Sequence, residues 1–302
     1  MTTDRIPTGS FLEEDDKVYH QYAKDGRAIS ASSLKVFRKS PRDYQARYIT
    51  KEIKHKDSPA LVLGRAAHAL ILEGTQTFMD NFVRIDELCP SFGFINPKTG
   101  AMYGETTKAF REAKTALEDA KPGVNILSNE QWDQCQGMAE AVRQHPIAGK
   151  FFEDGDAEHV FRKYVDDEPF ARQCKIDFVA DTGSGYTTLV DLKTTEDLET
   201  FPRNAHRFGY PEQLAFYRDL FVRTMDNGCG CHSNIDVVIV AVEKNPPYKV
   251  AVANIPHSVL GLKQQENEHN ISKLAKLWDH PDVFWPTGYE GVQSWFVPEP
   301  QL

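Results

Sequence analysis

Long apolar runs are missing from this 302-residue sequence. No stretch approaches the roughly 20 residues that a membrane-spanning helix needs. The segment from Met1 to His20 lacks the apolar core of a secretory signal. The expectation is a cytoplasmic protein. Cysteine is scarce: Cys89, Cys135, Cys174, Cys229 and Cys231, an odd number with no Cys-x-x-Cys pair. That set argues against a disulfide framework and suits a reducing compartment. Cys229-Gly230-Cys231-His232 has the residue types of a metal knuckle, but no second ligand pair completes it, so it reads as a glycine-rich loop. There is no P-loop, no Gly-x-Ser-x-Gly elbow and no His-Glu-x-x-His, which removes the hydrolases built on those motifs. An excess of positive charge is absent as well. A net charge of −9 counts against a surface that binds nucleic acid over its whole area, though not against a local basic groove.

What is present is ordinary for a globular chain: 40% hydrophobic and 26% charged residues. Residues 1–28 are polar and irregular and read as a flexible arm. Residues 30–40 read as a helix capped by Ser30 or Ser32, with Leu34 and Phe37 inward and Pro41 opening the next turn. Residues 59–73 place Leu63, Ala66, Ala67, Leu70 and Ile71 at helical spacing, as a buried helix. Residues 84–104 read as a loop. Helices are expected at 105–120 and 129–145, the second with Ser128 and Gln131 at capping-box spacing.

The pattern changes near residue 156. Strands are expected at 157–165, 170–181 and 186–193, the last two joined by Thr182-Gly183-Ser184-Gly185 as a hairpin. Helices at 197–207 and 211–225, strands at 235–243 and 248–255, and a polar helix at 257–279 follow. The fold class is therefore α/β, one central mixed sheet flanked by helices, with an N-terminal helical elaboration. The helical part runs over 29–155 and the sheet core over 156–256, within one domain of 29–280. A Trp- and Pro-rich tail occupies 281–302.

The hairpin carries the chemistry. With Ser184 at its centre, Asp177 sits opposite Asp191 and Lys175 opposite Lys193. Opposed side chains lie roughly 5 Å apart on one face. Two carboxylates that close repel unless a proton or a cation lies between them, and their oxygens suit Mg²⁺ or Mn²⁺. Ile176, Phe178, Val190 and Leu192 would point to the opposite face as anchors. Lys193, two residues beyond Asp191, shares its face. A lysine beside a carboxylate-bound metal is suited to phosphodiester hydrolysis. Asp-x-Lys alone is common as a surface pair. Downstream, Gln213 and Tyr217 fall at i and i+4 on one helix face.

Taken together, Ile176-Asp177-Phe178, Val190-Asp191-Leu192-Lys193-Thr194-Thr195 and Gln213-x-x-x-Tyr217 resemble the PD-(D/E)XK (restriction-endonuclease-like) nuclease superfamily. The likeness is greatest to its RecB-like branch and RecE-type exonuclease domains. It runs from about residue 29 to 256, with looser matches at Ile29-Ser30-Ala31-Ser32-Ser33-Leu34 and Gly64-Arg65-Ala66-Ala67-His68. Ile176 stands where the family often has proline, and the cysteine quartet of the iron–sulfur members is lacking.

The resemblance implies Asp177 and Asp191 as metal ligands, Leu192 as a carbonyl ligand and Lys193 as the catalytic lysine. His68 would be a further ligand; read on its own it is a core histidine. Glu158 would be the acidic residue that precedes the hairpin; read on its own it is an exposed strand charge. Gln213 and Tyr217 would support the site. The implied activity is a Mg²⁺-dependent exodeoxyribonuclease, with Mn²⁺ able to substitute, acting 5′→3′ on double-stranded DNA ends. It would leave 3′ single strands for a single-strand annealing recombinase, in DNA recombination and repair, as a ring-shaped homo-oligomer. An endonuclease or single-strand nuclease on the same core, or an inactive DNA-binding module, remain alternatives.

For DNA contacts, Lys35, Arg38, Lys39 and Arg42 fall at i, i+3, i+4 and i+7, which would make one helix face basic. Such a face grips phosphates or is merely solvated. Arg172 is a second phosphate-contact candidate. Phe92, Phe94, Tyr103 and Trp132 are candidates for a stacking platform or for packing.

Overall fold

The computed structural model describes residues 5–53, 59–85, 92–104, 106–181, 187–225, 235–288 and 290. The Thr182–Gly185 turn, the Cys229–His232 run and Cys89 lie outside them.

From the N-terminus, β1 (Gly9–Phe11) and α1 (Asp16–Lys24) lead through β2 (Ala28–Ile29) to α2 (Ala31–Lys39) and α3 (Pro41–Tyr44). Helix α4 (Pro59–His68) runs on into a wider π-helical turn, Ala69–Glu73. Next come α5 (Thr75–Asn81), β3 (Phe82–Arg84), α6 (Lys108–Ala120), β4 (Asn125–Leu127), α7 (Asn129–Gln144) and α8 (Ala148–Phe151). The sheet-forming half has β5 (Gly155–Tyr164), β6 (Ala171–Asp181), β7 (Thr187–Thr195), α9 (Phe201–Phe208) and α10 (Tyr210–Met225). It closes with β8 (Ile235–Glu243), β9 (Val250–Asn254) and α11 (His257–Trp278). Ser30 with Ser33, and Ser128 with Gln131, form reciprocal caps on α2 and α7. These bonds satisfy backbone donors that a helix start otherwise leaves open.

The described residues form a seven-stranded mixed sheet, ordered β1-β5-β6-β7-β8-β9, with β2 pairing with β6. The β7–β8 and β2–β6 pairs are parallel and the others antiparallel. Strand β8 is apolar from Val237 to Val242, as suits a strand with helices on both faces. Val237, Ile239 and Ala241 join the core that holds α2, α10 and α11 side chains. Val238, Val240 and Val242 join the core that holds those of α4 and α7. A third, smaller cluster gathers Ile85, Phe94, Phe110, Ala113 and Leu117.

The β6–β7 ladder pairs Phe178 with Val190, Val179 with Leu189, Ala180 with Thr188 and Asp181 with Thr187, the register expected for a hairpin centred on Ser184. The ladder stops there. At Asp177 and Asp191 the strands part, and the far end of β6 pairs instead with β2 at Ala171 and Arg172. Lys175 therefore does not face Lys193; its strand partner is Val160 on β5. The β5–β6 ladder is also interrupted at this level. Its pairs run Ala157–Phe178 and then His159–Ile176, skipping Glu158, whose φ is +52°. Across this interruption β6 changes sides. Ile176 packs in the α10-side core and Phe178 in the α4-side core, so the two do not share an anchoring face as expected.

Residues 5–28 are not a loose arm. Strand β1 adds to the sheet edge along β5, and Ser10 Oγ lies 2.6 Å from His159 Nε2. Arg162 is fully buried and its Nη1 donates to Glu14 Oε1 at 2.9 Å. A buried guanidinium needs such a partner, which ties the segment down. The start of the C-terminal tail is also docked. Trp285 is buried and stacks on Tyr44 with ring centroids 6.1 Å apart. Gln45 donates to the carbonyls of Pro281 and Val283 at 2.8 and 2.6 Å.

Candidate active site at the strand fork

Where β6 and β7 part, the backbone loses a ladder partner, and a side chain replaces it. Leu192 N–H donates to Asp177 Oδ2 at 2.8 Å. Helix α4 approaches from the other layer. Gly64 faces Thr194 of β7, where a Cβ would stand 3.9 Å from Thr194 Oγ1, so the helix sits close to the strand. One turn on, His68 Nδ1 reaches 3.7 Å from Asp177 Oδ2. The left-handed residue Glu158 points its carboxylate to the same place. Ligand atoms of His68, Glu158 and Asp177 all lie within 4.8 Å of one another.

Beside this trio stands a second group. Asp191, almost wholly buried, pairs with Lys193 Nζ through Oδ2 at 2.7 Å. Its Oδ1 accepts from Gln213 Nε2 at 3.1 Å. The same Gln213 amide donates to Tyr217 Oη at 3.1 Å. Gln213 and Tyr217 thus share one face of α10, and the link runs from Tyr217 through Gln213 to Asp191. All the residues read from the sequence as catalytic or metal-ligating meet at this fork.

Their electrostatics are those of crowded, buried charge. Burial raises the Asp177 carboxyl above its usual range, against the pull of Lys193 and the Leu192 N–H. Burial pushes Asp191 up to about 6, with Lys193 opposing and Asp177 adding to the rise. Glu158 is raised by burial and by Asp177, against Lys175. Burial and Lys193 lower His68, favouring the neutral imidazole that a metal requires. Burial alone would lower Lys193, but Asp191 and Asp177 carry it above its ordinary value, so it stays an ammonium. Carboxylates in this condition are short of positive charge. Two carboxylates and one neutral imidazole form a donor set that fits a hard divalent cation.

Three neighbours were not anticipated as site residues. Lys175 pairs with Glu158 and, at 2.6 Å, with Asp16 of α1. Glu73 is raised by burial and by Glu158. The Tyr210 ring centroid lies 5.1 Å from Lys193 Nζ. Tyr210 stands three residues before Gln213 and Lys175 two before Asp177, so helix and strand spacing could have pointed to them; nothing local marks Glu73.

The expected DNA contacts divide. Lys35 and Lys39 are exposed on α2, and Arg38 lies 3.5 Å from Glu212. Ser40 has extended backbone and breaks the helix. Arg42 therefore leaves the basic face; it donates to Gln45 and Glu52, each at 2.8 Å. Arg172 is buried, with Glu268 oxygens at 2.6 and 2.8 Å and Glu168 Oε2 at 3.0 Å. It holds β6 to α11 and is no phosphate contact. Phe94 and Trp132 are buried, while Phe92 and Tyr103 pack on the Ile85–Phe110 cluster; they are core residues, not a platform.

The described residues contain no helix long and apolar enough to cross a membrane. No curated protein sequence matches the chain. A crystal structure from Eubacterium rectale, provisionally described as an exonuclease, superposes with a TM-score of 0.59 at 11% identity, over 90% of this chain and 89% of that one. This is a likeness of fold. A second structure, that of SSO0001, aligns with a TM-score of 0.36 at 12% identity, over 85% of this chain and 81% of its own, too low to bear on the fold. The profile described as "PDDEXK-like domain of unknown function (DUF3799)" matches residues 30–294. That span takes in the strand fork, His68 and the Gln213–Tyr217 face, and by it the chain belongs to the PDDEXK-like DUF3799 family and has its nuclease-type fold.

Proposed function

We propose that this protein is a divalent-metal-dependent deoxyribonuclease that hydrolyses phosphodiester bonds at double-stranded DNA ends. It acts as a 5′→3′ exonuclease of the RecE type, with Mg²⁺ as the working ion and Mn²⁺ able to replace it. The observation that carries the reading is the convergence, at one fork, of the His68/Glu158/Asp177 donor set and the Asp191–Lys193 ion pair. A surface Asp–Lys pair would not be buried, and a binding module has no use for three ligating groups beside it.

His68, Glu158, Asp177 and Asp191 would hold the ion, with the Leu192 carbonyl beside them. A divalent ion supplies Lewis acidity toward a phosphate oxygen and activates water for attack. Lys193 keeps its proton at Nζ and offers positive charge to the pentavalent phosphate as charge builds there. Gln213 fixes the Asp191 carboxylate, and Tyr217 fixes Gln213. Lys35, Arg38 and Lys39 would meet phosphates outside the centre, positioning the strand without reading bases.

The products, 3′ single strands, would pass to an annealing recombinase. A homo-oligomeric ring would let an acidic chain retain a polyanion by enclosing it. The test is a linear duplex labelled at either end, incubated with Mg²⁺ or EDTA, beside Asp191→Ala and Lys193→Ala variants. Mg²⁺-dependent digestion abolished by both substitutions is expected, with 5′ label released first. An intact duplex in both Mg²⁺ and Mn²⁺ would falsify the assignment. Release of the 3′ label first would reverse the polarity, and cutting of covalently closed circles would make it an endonuclease.

A further inference from the structure

The turn between α9 and α10, Phe208-Gly209-Tyr210, borders the fork. Gly209 ends α9 with φ +72°, its N–H reaching the carbonyls of Ala205 and His206. Its left-handed conformation favours glycine, and a Cβ there would stand 2.8 Å from Arg38 Nη2, the mobile end of a side chain on α2. The turn sets two rings side by side. Phe208 and Tyr210 have centroids 5.9 Å apart with planes inclined by 41°. Phe201 backs Tyr210 from within, at 6.0 Å. The rings thus form a row from Phe208 through Tyr210 to Lys193.

Phe208 is 43% exposed and belongs to none of the apolar clusters of the described residues. Cations surround it. Lys35 Nζ stands over the ring 5.7 Å from its centroid and Arg207 Cζ over it at 5.9 Å; both belong to exposed residues, so an incoming base takes the ring face by moving these flexible cations aside toward its phosphates. An apolar protein partner would have to bury those charges. A nucleic-acid strand uses both features, stacking a base on the ring and setting phosphates against the cations. A base inside a duplex has both faces covered by its neighbours, so the ring can take only an unpaired base or the outer face of a terminal one.

The geometry points to Phe208 as a stacking platform for an unpaired nucleobase of the DNA strand whose phosphate lies at Lys193, with Lys35 and Arg207 holding flanking phosphates. This rests on the nuclease reading above and sharpens its substrate: a frayed or single-stranded terminus engages the centre, and a base pair inside the duplex does not.

The test is equilibrium binding by the full chain in Ca²⁺. The probe is a duplex with a short overhang carrying 2-aminopurine at each unpaired position in turn. A matched set carries an abasic residue at the same positions. For the parent protein, fluorescence is quenched at one position, and removing that base weakens binding by about tenfold, the scale of one base–aromatic stack. Phe208→Ala loses both the quench and the abasic penalty, and Phe208→Trp restores both. A penalty and quench that persist in Phe208→Ala, or that are missing in the parent, overturn the platform. Digestion of linear duplex in Mg²⁺ is scored on the same preparations. A parent that cleaves but shows no Phe208-dependent penalty removes the platform alone, whereas one that neither binds nor cleaves removes the nuclease reading with it.

Discussion

Asp177 accepts the backbone N–H of Leu192 at 2.8 Å, across the point where β6 and β7 stop pairing. The carboxylate stands where a strand carbonyl would have continued the ladder. An open N–H inside the protein would be costly, so the same residue that stabilises the fork also lines the site. Structure and candidate chemistry are joined at one side chain.

In the metal-free protein, the contribution of Asp191 to stability should fall as pH rises. Asp191 titrates near 6 in the folded state, above its ordinary value of 3.8. Its contribution is therefore fully present below that ordinary value and is lost as pH rises through about 6. A bound cation favours the ionised form. The gain in melting temperature from Mg²⁺ or Mn²⁺ over EDTA should be small at pH 5 and grow above pH 6. Equal gains at pH 5 and pH 8 would count against this assignment.

Lys193→Ala should reduce phosphodiester hydrolysis by about a hundredfold or more, the scale of losing one charge-stabilising donor. It also strands Asp191, which can take up a proton to stay neutral. Destabilisation should accordingly be greater at pH 8 than at pH 5. Turnover and thermal melts on the same protein check both halves, and near-parental turnover would remove Lys193 from the chemistry.

Gln213 donates to both Asp191 and Tyr217, and in the proposed reading these bonds position the Asp191 carboxylate. Tyr217→Phe keeps the ring and removes the acceptor of one Gln213 bond, so hydrolysis should fall severalfold. Gln213→Ala should lower it further and raise the metal concentration needed for half-maximal rate. Because the three residues act in series, the double variant should be little worse than Gln213→Ala alone. Additive losses in the double variant would mean that the two act separately.

Glu14→Ala should destabilise the fold by about 3 kcal/mol, since it leaves Arg162 buried without its carboxylate. Glu13→Ala, at an exposed neighbouring position, should change stability little. Urea unfolding compares them, and equal midpoints would return residues 5–28 to the status of a loose arm.

The sequence by itself determined what local interactions decide. The Ser128–Gln131 capping pair, the 3.6-residue period of α4 and the apolar run of β8 were readable, because partners on one helix or strand are near neighbours in the chain. The β6–β7 register was readable too, since the two strands meet across a short turn. Asp177, Asp191, Lys193, Gln213 and Tyr217 could be named for the same reason: each pair lies on one strand, one helix face or one hairpin. Tertiary structure decided the rest. Arg162 and Glu14 stand 148 residues apart, and no local signal shows that one neutralises the other. Arg172 reads as a surface cation until Glu168 and Glu268 enclose it. Ser40 divides a basic run that spacing alone makes continuous. The fork, the left-handed turn at Glu158 and the arrival of His68 from the opposite layer depend on how packed layers share one sheet. Only those long-range contacts place three ligating groups within reach of one ion, because the free energy that holds buried charges together comes from the surrounding core and not from the segments that carry them.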